Sequence, residues 1–159
     1  MRTSHKSENT SSRPRRRWVP ALLAVLLVVA ASGCYYTPEQ QQVLSQINQS
    51  RGQAGRPPVS MNYQMAANAQ RWAEYLAATG RLQHTTTLRQ ETPAGSWWGA
   101  ENAGGPSTTG STRIHERFMG SSSHRSNILS SSANIAGTGV ARDRYGNWWV
   151  VHRFAGCCR

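Results

Sequence analysis

The sequence predicts a layered helix-and-sheet domain, with helices covering both faces of a short strand pair. Three observations carry this. Met65, Ala69, Trp72 and Leu76 are spaced 4, 3 and 4 apart, which makes one apolar helix face. Two β-prone runs, 135–142 and 148–154, flank Asp143-Arg144-Tyr145-Gly146-Asn147, a turn sequence that reads as an antiparallel hairpin. On the second run Trp148, Val150, His152 and Phe154 share one face, and Trp149, Val151 and Arg153 the other. Both faces are largely apolar, so that strand is central and covered on both sides.

The remaining elements follow in chain order. Pro38 opens a first helix over about 38–52, with Val43, Leu44 and Ile47 at helical spacing and Gly52, Gly55, Pro57 and Pro58 ending it. Asn62 caps the second helix and Gly80 follows its last turn. Trp72 among alanines is a core knob, not a ligand platform. The stretch 81–112 has few aliphatics and many glycines and prolines, so it reads as a long functional or disordered loop. Ser111 caps a third helix near 111–120, with Ile114 and Phe118 four apart. Gly137 and Gly139 leave room for something bulky, such as the tryptophans of the neighbouring strand.

The N-terminus reads as an address. Residues 1–33 carry six basic residues against Glu8, net +5, and the rest of the chain holds the other +6 of the total +11. Basic residues 13–17 precede a 14-residue run, 18–31, that is apolar apart from the break at Pro20. That is short of the roughly 20 residues of a membrane-spanning helix, but it fits a signal peptide. Ala31-Ser32-Gly33-Cys34 resembles a bacterial lipobox, which makes Cys34 a lipidation site; a retained signal anchor is the competing reading. The layout is then signal peptide 1–33, tether 34–40, folded domain 41–156 and a Cys157-Cys158 tail over 157–159. A mature +6 module favours anionic lipid or envelope polymers. Basic residues are scattered singly after position 34, with no recognition motif, so nucleic acid is not an expected partner. Cys157 and Cys158 bridge each other only through a strained ring, with pairing to another chain or staying reduced as the alternatives; none of these folds the domain, so the core must come from packing.

Four histidines follow the leader: His84, His115, His124 and His152. His84, Glu101 and His124 are expected in or near loops, with glycine, serine or threonine neighbours, and are the candidates for chemistry. His115, flanked by Arg113 and Arg117, is expected to face solvent, and His152 to be a core or edge residue. No local motif names a reaction.

The order of short motifs resembles the CAP superfamily: cysteine-rich secretory proteins, antigen 5, pathogenesis-related 1 proteins and their small bacterial relatives. Ile47-Asn48-Gln49-Ser50-Arg51 is similar to its first-helix Asn-x-x-Arg. Pro57-Pro58-Val59 is similar to its link into the second helix, and Leu82-Gln83-His84-Thr85 to its His-Ser/Thr. Gly99-Ala100-Glu101-Asn102 resembles Gly-x-Glu-Asn. Ser123-His124-Arg125-Ser126-Asn127-Ile128-Leu129 resembles the bacterial Gly-His-Arg-x-Asn-Ile-Leu, and Ala136-Gly137-Thr138-Gly139-Val140 an Ile-Gly-x-Gly-Val strand.

The resemblance implies an α+β fold, a three-layer α-β-α sandwich with a small antiparallel sheet and a cleft where His84, Glu101 and His124 meet. A second glutamate found in animal and plant members falls near Ser121 here, and the strand's Thr-Gln is Val151-His152. Two imidazoles and a carboxylate suit Zn²⁺ or another divalent metal with an open position. Without metal they make an acid–base set, for which His84, Glu101 and His124 are the candidate catalytic residues. A buried polar cluster that pins the 81–112 stretch is the structural alternative. Trp97 and Trp98 fit stacking on a sugar, lying on a membrane or forming a lid. With Asn102, Arg125 and Asn127 they are expected to line the cleft, Arg125 and Asn127 capping backbone around His124. The whole reads as an exported protein on the outer face of the cytoplasmic membrane, lipid-anchored and binding a metal, a lipid or an anionic cell-wall component more readily than catalysing a reaction.

Overall fold

A computed structural model describes residues 36–157; the signal peptide and Cys34 lie outside them. The elements are α1 (Pro38–Gln53), β1 (Ser60–Met61), α2 (Tyr63–Thr79), α3 (Leu88–Glu91), β2 (Trp98–Ser107), α4 (Ser111–Gly120), α5 (Ser122–Ile128), β3 (Ile135–Arg142) and β4 (Trp148–Gly156). No described helix is long and apolar enough to cross a membrane.

The sheet has the order β1-β3-β4-β2. β3 and β4 form the expected hairpin, and β2 runs antiparallel along the other side of β4. The two-residue β1 pairs parallel to β3, so the sheet is mixed. Val43, Ile47, Ile114, Phe118, Ile128, Val150 and Phe154 fill one core, between the sheet and α1, α4 and α5. Ala69, Ala73, Leu76, Trp149 and Val151 fill the other, between the sheet and α2. This is the expected α+β sandwich. Alternation along β4 sends neighbouring side chains into opposite cores, which is why both of its faces are apolar.

The local signals at the first two helices are realised. Thr37 and Gln40 form a reciprocal capping box ahead of Pro38. Asn62 Oδ1 accepts from Met65 N–H at 3.0 Å, and Gly80 closes α2 in the left-handed conformation, φ 65°. The space at Gly137 and Gly139, however, is taken by the α2 backbone and not by tryptophan. A Cβ on Gly139 would lie 2.1 Å from Ala69 O, and one on Gly137 2.3 Å from Met65 C. Alanines on α2 and glycines on β3 together let helix and strand backbones touch.

Asn48 and Arg51, from the first-helix motif, are fasteners. Asn48 exchanges two hydrogen bonds with the Val59 backbone, at 2.9 and 3.0 Å. The buried Arg51 guanidinium donates to the carbonyls of Pro57, Ile128, Ser130 and Ala133 at 2.7–3.2 Å. One side chain therefore ties together the connections that follow α1 and α5.

Three features depart from the sequence expectation. The 81–112 stretch contains a ten-residue strand, β2, and the short α3. The serine-rich segment around His124 is helix α5 and not a loop. His115 is buried, 6% exposed, and bonds Ser50 Oγ at 2.9 Å; its place between Ile114 and Phe118 on the inward face of α4 overrides its arginine neighbours.

Candidate functional site

The site forms along β2, an edge strand. Alternation turns Glu101 toward the α2 side and Asn102 toward the α4–α5 side. Glu101 is almost wholly buried, and both its oxygens are engaged. Oε1 accepts from His84 Nδ1 at 2.9 Å and from the Thr85 backbone N–H at 3.0 Å. Oε2 accepts from Arg153 Nε at 3.1 Å. Arg153 is its register partner on β4 and also pairs through Nη1 with Glu91 of α3. Burial, and then repulsion from Arg71, lower the Arg153 pKa to about 10.

The His84 side chain is 61% exposed. A carboxylate can only accept, so Nδ1 carries a proton, and in the neutral ring it is Nε2 that keeps the lone pair. His124 comes from α5 on the other side, its ring 5.0 Å from that of Phe118. Burial lowers its pKa, and the nearby His84 lowers it further, so the neutral imidazole is favoured. Beside it a cavity of about 220 Å³ is lined by Leu82, Ala103, Ile114, Arg117, Phe118 and Ser121 among others.

Asn102 and Asn127 are supports. Asn102 Nδ2 donates to His124 O at 3.0 Å, and Asn127 Nδ2 donates to Asn102 Oδ1 at 2.8 Å and toward Glu101 O at 3.4 Å. They fasten α5 to β2 and so hold His124 in place. Arg125 is exposed on α5. Trp97 and Trp98 line a different hollow, with Leu88, Arg89, Thr92 and Ser96, away from His124. Among the described residues no group of three or more His, Cys, Asp or Glu is placed to hold a metal ion.

Sequence reasoning did not single out Arg153 or Glu91. A signal was present: an arginine on a strand covered on both faces needs a buried counter-charge. His152 is fully buried as expected, with its ring 4.8 Å from Phe118 and 5.6 Å from His115. Neither of its ring nitrogens has a hydrogen-bond partner among the described residues. Cys157 is disulfide-bonded.

The profile of the cysteine-rich secretory protein family, CAP, matches residues 44–153. No curated protein matches the chain. Among solved structures, an outer surface protein of Borrelia burgdorferi aligns with TM-score 0.65 at 14% identity, over 74% of this chain and 92% of that one. A cysteine-rich secretory protein of Staphylococcus aureus aligns with TM-score 0.59 at 26% identity, over 74% of this chain and 38% of that one. An extracellular protein of Bacillus anthracis containing an SCP domain aligns with TM-score 0.60 at 18% identity, over 78% and 45%. The chain thus spans under half the length of the last two.

Proposed function

Because the chain belongs to the cysteine-rich secretory protein family, we propose that it is an exported binding protein of the bacterial cell envelope, tethered by a lipid on Cys34, whose ligand sits between His84 and His124. The observation that carries the reading is the contact of His84 Nδ1 with the buried Glu101 carboxylate, 2.9 Å. A buried carboxylate, itself held by Arg153, fixes one face of an exposed imidazole and leaves Nε2 open beside the apolar cavity at His124. Such an arrangement receives a ligand with an apolar part and a polar or metal-bound end. The extracellular and outer-surface descriptions of the structural neighbours support export.

Two imidazoles are what the site offers a divalent metal such as Zn²⁺. His84 Nε2 and the His124 ring would be its protein ligands, and Glu101 would orient His84 from behind. Its two oxygens are already occupied, so it is not a third ligand. The ion would supply a cationic centre for an anionic head group. Among the described residues no carboxylate lines the cavity, and Ser121 stands where the family resemblance leads one to expect a second glutamate; the reading is therefore binding rather than turnover.

The test is calorimetric titration of Zn²⁺ into the intact chain, with melting temperatures recorded for Zn²⁺ and for lysophospholipid. Binding that disappears in His124→Ala and weakens 10–100-fold in Glu101→Gln supports the reading. No heat and no melting shift with either ligand refutes it. Turnover of an envelope ester lost in His84→Ala would favour a hydrolase built on the same residues. Intact-mass measurement of wild type and Cys34→Ala checks the lipid.

A further inference from the structure

Trp97 is 53% exposed, yet it is held in place. Its backbone N–H donates to Gly156 O at 2.9 Å. Its indole edge sits directly on Gly156, where a Cβ would fall 2.6 Å from Nε1. Only a glycine at the end of β4 permits this seat. The result is a rigid tryptophan on the surface, at the wall of a hollow of about 410 Å³. No residue lines both this hollow and the cavity beside His124.

The rest of the wall specifies an occupant. Thr92 Oγ1 donates to Arg89 O at 2.9 Å, and Ser96 Oγ donates to Pro93 O at 2.7 Å. Both hydroxyl protons are spent on backbone carbonyls, so each oxygen has only acceptor capacity left and matches hydroxyl donors. Arg89 is exposed and makes no ion pair among the described residues. No acidic residue lines the hollow.

We propose that the Trp97–Arg89 hollow is a second binding site, for an acidic saccharide. The apolar face of a sugar ring stacks on Trp97, its hydroxyls donate to Thr92 and Ser96, and its carboxylate or phosphate meets the Arg89 guanidinium. An acyl chain would leave the two hydroxyl oxygens unmatched. The net charge of +6 on residues 34–159 adds long-range attraction to anionic polymers.

The experiment is calorimetric titration of the intact chain with oligogalacturonate, a phosphorylated oligosaccharide, neutral cello-oligosaccharide and phosphatidylglycerol vesicles. At least one acidic sugar should bind. Affinity should fall about tenfold or more in Trp97→Ala and in Arg89→Ala, and remain unchanged in His124→Ala. Both substitutions are at exposed positions, and unchanged melting curves verify the fold. Equal affinity for neutral and acidic sugars, binding that survives Trp97→Ala, or no sugar binding at all overturns the proposal. Vesicle binding that depends on Trp97 without sugar binding replaces it with a membrane-contact role.

Discussion

Replacing Glu101 by Gln changes one atom and tests what the site residues do for the fold. The carboxylate offers two acceptor oxygens to three donors: His84 Nδ1, Thr85 N–H and Arg153 Nε. A glutamine has one oxygen. If it faces Arg153, its NH₂ meets the Thr85 N–H, and the reverse flip sets NH₂ against the guanidinium. Either way a buried donor faces a donor. The His84 bond is largely exposed and counts for about 0–1 kcal/mol. The two buried charge-assisted bonds count for about 1.5–3 kcal/mol each, and breaking a buried pair costs about 3–5 kcal/mol. Glu91 still bonds Arg153, so the expected loss is at the low end, about 3 kcal/mol, or roughly 10 °C in melting temperature. Urea denaturation measures it. A double-mutant cycle with Arg153→Met should show coupling of at least about 1 kcal/mol. A loss below about 1 kcal/mol, or additive mutants, would refute the view that Glu101 anchors the site.

Two further predictions concern stability. Gly139→Ala forces α2 off the sheet, because its Cβ would lie 2.1 Å from Ala69 O; a loss of about 2 kcal/mol or more is expected. In contrast Gly52→Ala, inside α1 with nothing within 4 Å of the new Cβ, should stabilise by about 0.5–1 kcal/mol. Matching urea midpoints for the two variants would contradict the close-packing account. The third prediction is acid sensitivity. Burial lowers the pKa of His152 well below its ordinary 6.5, and it also lowers those of His115 and His124. The folded state favours neutral imidazoles, so below pH 6.5 the unfolded chain binds more protons. Stability is therefore full above about pH 6.5 and is lost as pH falls through the folded-state values. His152→Gln should flatten the urea midpoint between pH 7.5 and 5; parallel curves for wild type and variant would rule out His152 as the source.

Legibility varied with the range of the interaction. α2, its Asn62 cap and its Gly80 stop are set by neighbours within a turn or two, and so is the Asp143–Asn147 turn. β2 was hidden because Gly99, Gly104, Gly105 and Pro106 are poor strand formers on their own. It is a strand because β4, some fifty residues later, supplies its hydrogen bonds. α5 is a single run of seven residues rich in serine, with no apolar period to read. His115 carried a readable signal, being three residues before Phe118 and next to Ile114, and its charged neighbours masked it.

The sequence by itself determined the first two helices, the β3–β4 hairpin with its two-faced central strand, and the candidates His84, Glu101 and His124. These follow from periodicity, capping residues and motif order, all local or sequential. Only the tertiary structure decided how those candidates are used. It set Arg153 behind Glu101, put His84 Nδ1 on that carboxylate, gave Asn102 and Asn127 their fastening roles, and separated Trp97 from the cleft. Each of these depends on strand register and on which face of an edge strand a side chain takes, and register is fixed by the pairing of distant segments.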